Sequence, residues 1–161
     1  MVVLVAGCVV SDPPNYGVAK KTPPFLDLTA ANPKVFERKD VNRGDKVNFN
    51  VPVRSEDAGD QLIGLLYLNY NVIKNGELQE QFLKVDFVSP STLDDTKRTV
   101  DILWDVNVDP GCYQATMVVT HQSNLTDNRP DRSEDTAVAM WWLNVDDDGG
   151  NLLQDCPGGS N

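Results

Sequence analysis

His121 is the only histidine in the chain, and Ser123 and Asp127 follow it in one polar loop. These are the side-chain types of a hydrolytic triad, in which an imidazole takes the proton of a hydroxyl and a carboxylate holds the ring. The loop has neither a nucleophile elbow nor the partner glycines of an oxyanion hole, so its spacing predicts no catalysis. One histidine also falls short of a zinc site if two of the three cysteines are joined to each other, since zinc wants about four nitrogen or sulfur ligands. The run Asp146-Asp147-Asp148-Gly149-Gly150-Asn151 gathers the hard oxygen ligands that calcium prefers. It lacks the alternating spacing and closing glutamate of an EF-hand. A calcium ion would therefore have to lie between Asp146, Asp148 and Asp109, and a solvated acidic turn is the plainer reading. Glycosidase-type carboxylate pairs need a cleft that the sequence does not locate. The chain reads as a non-enzyme with no resident cofactor, calcium being the sole metal considered.

Charge narrows the partners. The 161 residues carry a net charge of −10. Residues 1–93 hold 11 acids against 10 bases, and residues 94–161 hold 13 against 4. A surface of that sign repels phosphate backbones and has no basic stripe to offset it, which excludes nucleic acid. Attraction to anionic lipid head groups is disfavoured on the same ground.

The opening MVVLVAGC is apolar, uncharged and far shorter than the roughly 20 residues that cross a bilayer. Val5, Ala6 and Gly7 before Cys8 resemble the bacterial lipobox, an aliphatic residue and two small ones preceding a cysteine. The resemblance implies cleavage before Cys8, a diacylglyceryl thioether on its sulfur and acylation of the new amine. More than one acyl chain suffices for stable anchoring. Val9 after the cysteine implies, by the same likeness, an outer-membrane address. Residues 1–7 then read as a signal remnant and 8–30 as anchor and tether. Pro13, Pro14, Pro23 and Pro24 lie in that tether, and proline-rich segments act as extended spacers. With Cys8 spent on lipid, Cys112 and Cys156 remain as an even pair for a disulfide, the bond of an oxidising compartment.

The elements that must position these residues are strands. From residue 31 the chain is a series of short apolar runs between turn-forming clusters, with no sustained helical period. A first strand falls near KVFER. In KVNFNVPV, Val47, Phe49, Val51 and Val53 share a face, and Pro52 removes a donor, predicting a bulge or an exposed edge. QLIGLLYLNYNVI is apolar on both faces and predicts a central strand. LKVDFV aligns Leu83, Val85 and Phe87; TVDILWDV aligns Val100, Ile102, Trp104 and Val106, with Asp101 and Asp105 towards water. CYQATMVVTH and TAVAMWWLNV form a last pair. The class is all-β, an immunoglobulin-like antiparallel sandwich of about seven strands over 31–146, with an acidic tail at 147–161.

Asp109-Pro110-Gly111-Cys112-Tyr113-Gln114-Ala115 resembles the run that opens strand F of immunoglobulin-like domains. The likeness implies a tyrosine corner, with Tyr113 bonding upstream backbone, its ring in the core, and Gly111 making the turn beside Asp109. Ala115 stands where antibody domains keep a core cysteine, and Trp104 falls on strand E, so the kinship is one of topology. If Tyr113 points inward, Cys112 points outward. The last strand ends beside it, within reach of a tail that brings back Cys156. Closing that loop would stabilise by about 4 kcal/mol in the chain-entropy picture.

The loop HQSNLTDNRPDRSED is longer than a hairpin needs and is the candidate recognition element, with His121, Arg129, Asp131 and Arg132 as its contacts. Asn124-Leu125-Thr126 matches a glycosylation acceptor, which a bacterial lipoprotein would leave unused. Trp141 and Trp142 must face opposite sides of one strand. The functional expectation is a lipid-anchored envelope protein with a structural or protein-binding role. The alternative is a glycan- or calcium-binding module on the same anchor.

Overall fold

The computed structural model describes residues 21–35, 37–57, 59–90 and 98–146. Cys8, most of the tether, Asp148 and Cys156 lie outside the described residues. The strands are β1 (Phe25–Leu26), β2 (Arg38–Val41), β3 (Lys46–Arg54), β4 (Leu62–Leu68), β5 (Ile73–Lys74), β6 (Glu77–Leu78), β7 (Gln81–Val88), β8 (Arg98–Asp105), β9 (Gly111–His121), β10 (Leu125–Thr126), β11 (Arg129–Pro130) and β12 (Thr136–Val145). Seven of them are four residues or longer. They form an all-β, immunoglobulin-like sandwich: β2-β12-β9-β4-β7 in one sheet, β1-β3-β8 in the other. All pairings are antiparallel except β2 with β12.

The alternation in β3 and β8 is realised as read. Phe49, Val51, Val100, Ile102 and Trp104 are buried against Leu66, Met117, Trp141 and Leu143 of the facing sheet. Trp141 is the core tryptophan; its ring lies 4.9 Å from that of Phe49, and its Nε1 donates to the Pro33 carbonyl at 2.7 Å. Trp142, one residue on, faces the other way and is half-buried. Gly64 sets how closely the sheets approach. A Cβ there would stand 2.2 Å from Val100 Cγ1, so only a hydrogen fits.

Three local expectations change, and the one for Pro52 is resolved between its two alternatives. The sandwich begins before residue 31, because Phe25 and Leu26 pair with Arg54 and Val53. Pro52 makes no bulge and stays in register with Thr99. Its carbonyl accepts from Asp27 N at 3.0 Å on the side of the short β1, so the missing N–H also faces that sparse edge. The run at 61–73 ends as a strand at Leu68, and left-handed residues Asn69 and Asn71 turn it into the β5–β6 hairpin. In β7 the register shifts opposite Leu66 and Tyr67, an irregularity that re-aims side chains. Leu83 packs on the core, whereas Val85 and Phe87 lie on the outer face. Lys84 and Asp86 point inward instead and serve the free edge of β8: Lys84 Nζ donates to Leu103 O at 2.6 Å, and Asp101 N donates to Asp86 at 2.9 Å. Charged side chains here close an edge that would otherwise offer unpaired backbone.

Candidate functional site

The two ends of the sandwich gather the polar residues. At one end β3 finishes, β4 begins and β9 finishes, with Leu62 opposite His121. His121 is fully buried, so it is not a contact residue of the loop. Its partners are not Ser123 and Asp127. Nδ1 lies 2.7 Å from Asp135 Oδ1 and Nε2 lies 3.1 Å from Ser55 Oγ. Asp135 is buried too, and its second oxygen, Oδ2, has no hydrogen-bond partner among the described residues, the nearest guanidinium being Arg132 at 4.0 Å. Ser55 Oγ accepts from Asp57 N at 3.1 Å, and Asp57 Oδ2 lies 3.6 Å from His121 Nε2. The same carboxylate accepts from Thr22 N at 2.9 Å and Thr22 Oγ1 at 3.2 Å, which fastens the entering chain. Lys21 adds an ion pair to Asp60 at 2.7 Å and a hydrogen bond to Ser123 Oγ at 2.6 Å. The Lys21 hydrogen bond holds the Asp60 carboxyl below its ordinary value. Beside this cluster a cavity of about 380 Å³ is lined by Lys21, Gly59, Asp60, Gln61, Pro90, Gln122 and Ser123.

The long loop folds down rather than out. Residues 122–135 lie along the outer face of β4 and β9, where Leu125 packs on a second apolar cluster of Ile63, Leu65, Tyr67 and Val118. The Tyr67 hydroxyl donates to the Asn128 carbonyl, and burial pushes its phenol well above the usual tyrosine value. Arg129 pairs with Glu80 at 2.7 Å and stands 6.0 Å from the Tyr70 ring. Arg132 donates through Nε to Asn124 Oδ1 at 3.2 Å, and Asp131 accepts from Thr126 Oγ1 at 2.9 Å. Asn124 is itself buried, with its amide nitrogen donating to Thr120 Oγ1 and to the Arg132 carbonyl, each at 2.9 Å. An asparagine so used is inaccessible to a glycosylating enzyme. Of the four expected contact residues, His121 is buried, while Arg129, Asp131 and Arg132 are exposed and also bond within the domain.

At the opposite end, the Tyr113 hydroxyl donates to the Asp109 carbonyl at 2.9 Å while its ring packs against the core. Burial, with Asp109 alongside, raises the phenol's pKa. Gly111 has a φ of +152°, a conformation that side chains disfavour. Cys112 lies on the outward side of β9 yet is buried, its sulfur in a disulfide. No other cysteine is among the described residues. Arg43 touches two of the acids considered for calcium: its Nη2 meets Asp109 at 2.7 Å and its backbone N–H donates to Asp146 at 2.8 Å. Among the described residues no three acids, histidines or cysteines are grouped to hold a metal.

The same end carries a feature that the periodic reading missed. Ile73 and Leu78 face each other across the β5–β6 hairpin and are 70% and 52% exposed. The hairpin turns on Asn75 and Gly76, both at positive φ, so the dipeptide Asn-Gly was the available signal. More exposed apolar groups lie on the outer sheet face: Phe82, Val85 and Phe87 on β7, and Val138 and Met140 on β12. Through the register, Val138, Val118, Leu65 and Val85 form one row across four strands, with the loop cluster over its middle and both ends open.

No protein-family model matches the chain, and no curated protein does. Among solved structures, the CARDB domain of a Pyrococcus furiosus protein, in complex with di-metal ions, is 15% identical; the match covers 67% of this chain and 84% of that one at a TM-score of 0.44. A chain of the zinc 2-glycoprotein–prolactin inducible protein complex from human seminal plasma is 19% identical over 81% of this chain and 100% of that one, TM-score 0.43. T. fusca AA10A is 9% identical over 68% and 52%, TM-score 0.39.

Proposed function

We propose that the chain is a lipid-anchored protein of the bacterial outer membrane, whose immunoglobulin-like domain has a protein-binding role. The observation that carries this reading is a separation of ends. The chain enters at the His121 end, held by Lys21 and Thr22. The apolar pair Ile73 and Leu78 projects at the other end, beyond the seven residues of β4. At about 3.3 Å per residue that strand sets the two ends roughly 20 Å apart. A domain tethered through its first residues would thus hold the hairpin away from the bilayer, towards other envelope proteins. Exposed apolar side chains paired on a projecting element are the material of a binding hot spot. The disulfide of Cys112 agrees with an address outside the cytoplasm. In this reading its partner is Cys156, since Cys8 carries lipid.

Two measurements test it. Mass spectrometry of the mature N-terminus should find acylated Cys8, and peptide mapping without reductant should find Cys112 joined to Cys156. A photo-crosslinking amino acid at position 73 should capture an envelope protein in cells, while one at Asn48, on the far sheet, should not. Capture of equal yield from both positions, or a free thiol at Cys8, would end the proposal.

A further inference from the structure

We propose that Ser55 is an activated nucleophile, with His121 as its general base, that attacks a small neutral ester. This goes beyond the binding reading and does not depend on the anchor. The hydrogen positions leave little freedom. Nδ1 of His121 meets a carboxylate at 2.7 Å, so that nitrogen carries a proton, and in the neutral ring Nε2 is then the acceptor. Ser55 Oγ already accepts the Asp57 N–H, which directs its own hydrogen to Nε2 at 3.1 Å. This is the order of roles that activates serine elsewhere: carboxylate, imidazole, hydroxyl. The group is drawn from three separate parts of the chain, since Ser55 follows β3, His121 ends β9 and Asp135 precedes β12.

The surroundings suit proton transfer. Asp135 is a positioning residue that fixes the tautomer. With Asp57 at 3.6 Å from Nε2, it also stabilises the imidazolium formed when the ring takes the serine proton. Ser55 itself is only half-buried. A cavity beside the group is walled by residues that follow two of its members, Gly59 to Gln61 after Ser55 and Gln122 and Ser123 after His121, while Ser55 and His121 are not themselves in its lining. Its one ammonium, Lys21, is paired with Asp60, so the wall has no net charge to select an ion. At about 380 Å³ it is at the small end of ligand sites.

The step balances without a cofactor. The Ser55 Oγ–carbon bond forms as the ester carbon–oxygen bond breaks. The proton passes from Oγ to Nε2 and then to the departing alkoxide, which leaves as an alcohol. Water repeats the sequence on the acyl-serine and releases a carboxylic acid.

The test is treatment of the full-length protein with a fluorophosphonate, whose phosphorus bonds to Oγ as fluoride leaves with the proton. Intact mass and peptide mapping should place one label on Ser55, at least about 100-fold faster than on any other serine. Because the chain has one histidine, nitrogen NMR reports its tautomer without ambiguity. The Nδ1–H form is expected, and Asp135→Asn should lose that preference and slow labelling by about 100-fold or more. An unlabelled Ser55 in the folded protein overturns the proposal, as does an Nε2–H tautomer. So does an Asp135→Asn protein that melts normally and labels at the original rate. Should that variant fail to fold, the wild-type label and tautomer decide the matter alone.

Discussion

Each end of the sandwich is laced by acids and a base, yet the two lacings differ in where they sit. At the Arg43 end the guanidinium and the Asp109 carboxylate are both exposed, and water competes for each contact. At the His121 end the imidazole and Asp135 are buried, and no water shell stands ready to replace a lost partner. Similar groups at similar distances therefore carry different weight. An exposed ion pair typically contributes between nothing and about 1 kcal/mol. Removing the donor that holds a buried carboxylate costs about 3–5 kcal/mol, because the charge is left uncompensated.

That contrast is broken most directly by His121→Ala. Asp135 would lose its hydrogen-bonded partner while its Oδ2 already lacks one among the described residues. Urea unfolding should show a loss of about 3–5 kcal/mol. Ser55 and Asp57 would be released at the same time, so the fastening of Thr22 should loosen with it. A loss under about 1 kcal/mol would mean that the buried end is no more important than the exposed one.

Gly64→Ala comes next and asks whether the body between the ends is as tightly set. The added methyl meets Val100, itself fully buried in the facing sheet, so neither sheet can give locally. Overpacking of this kind costs about 1–3 kcal/mol in the same measurement. The outward neighbours Ile63 and Leu65 predict no relief, since they face the loop cluster and not the gap.

What the sequence disclosed follows the range of the interactions. Alternation in β3 and β8 is a property of adjacent residues, and it placed Phe49, Val51, Val100 and Ile102 correctly. The turn before Tyr113 is equally local, and so is Asn75-Gly76, a turn signal that directly follows the apolar run. The face taken by Val85 and Phe87 depends on one irregularity opposite Leu66 and Tyr67, and a shift of one residue inverts everything beyond it. The site was out of reach for a plainer reason. Ser55 and His121 are 66 residues apart and meet only because the ends of β3 and β9 coincide. Proximity in sequence pointed to Ser123 and Asp127 instead, and Ser123 went to Lys21.

Tyr113→Phe sharpens the comparison at the exposed end. It removes one hydroxyl bond to the Asp109 carbonyl and keeps the packed ring, so a loss of about 0.5–1.5 kcal/mol is expected. The phenols of Tyr113 and Tyr67 also fix the alkaline limb of stability. Burial raises both above the usual tyrosine value, so the unfolded chain ionises first. Their stabilisation is complete below about pH 10 and drains as pH rises further. Melting temperature recorded against pH should fall beyond that point, and Tyr67→Phe should flatten the fall, because its hydroxyl reaches the loop at Asn128.

The smallest effect belongs to Arg43→Ala. Its guanidinium ties Asp109 and the Val108 carbonyl at 3.1 Å, but in contact with solvent throughout. The expected loss is below about 1 kcal/mol, and about 1 M salt should shrink the difference further by screening the pair. Salt should leave the His121→Ala deficit nearly intact, since a buried pair is screened far less. The ratio of the two losses, followed from low to high salt, is therefore a direct reading of burial. If the Arg43 deficit survived salt while the His121 deficit did not, the assignment of the two ends would be reversed.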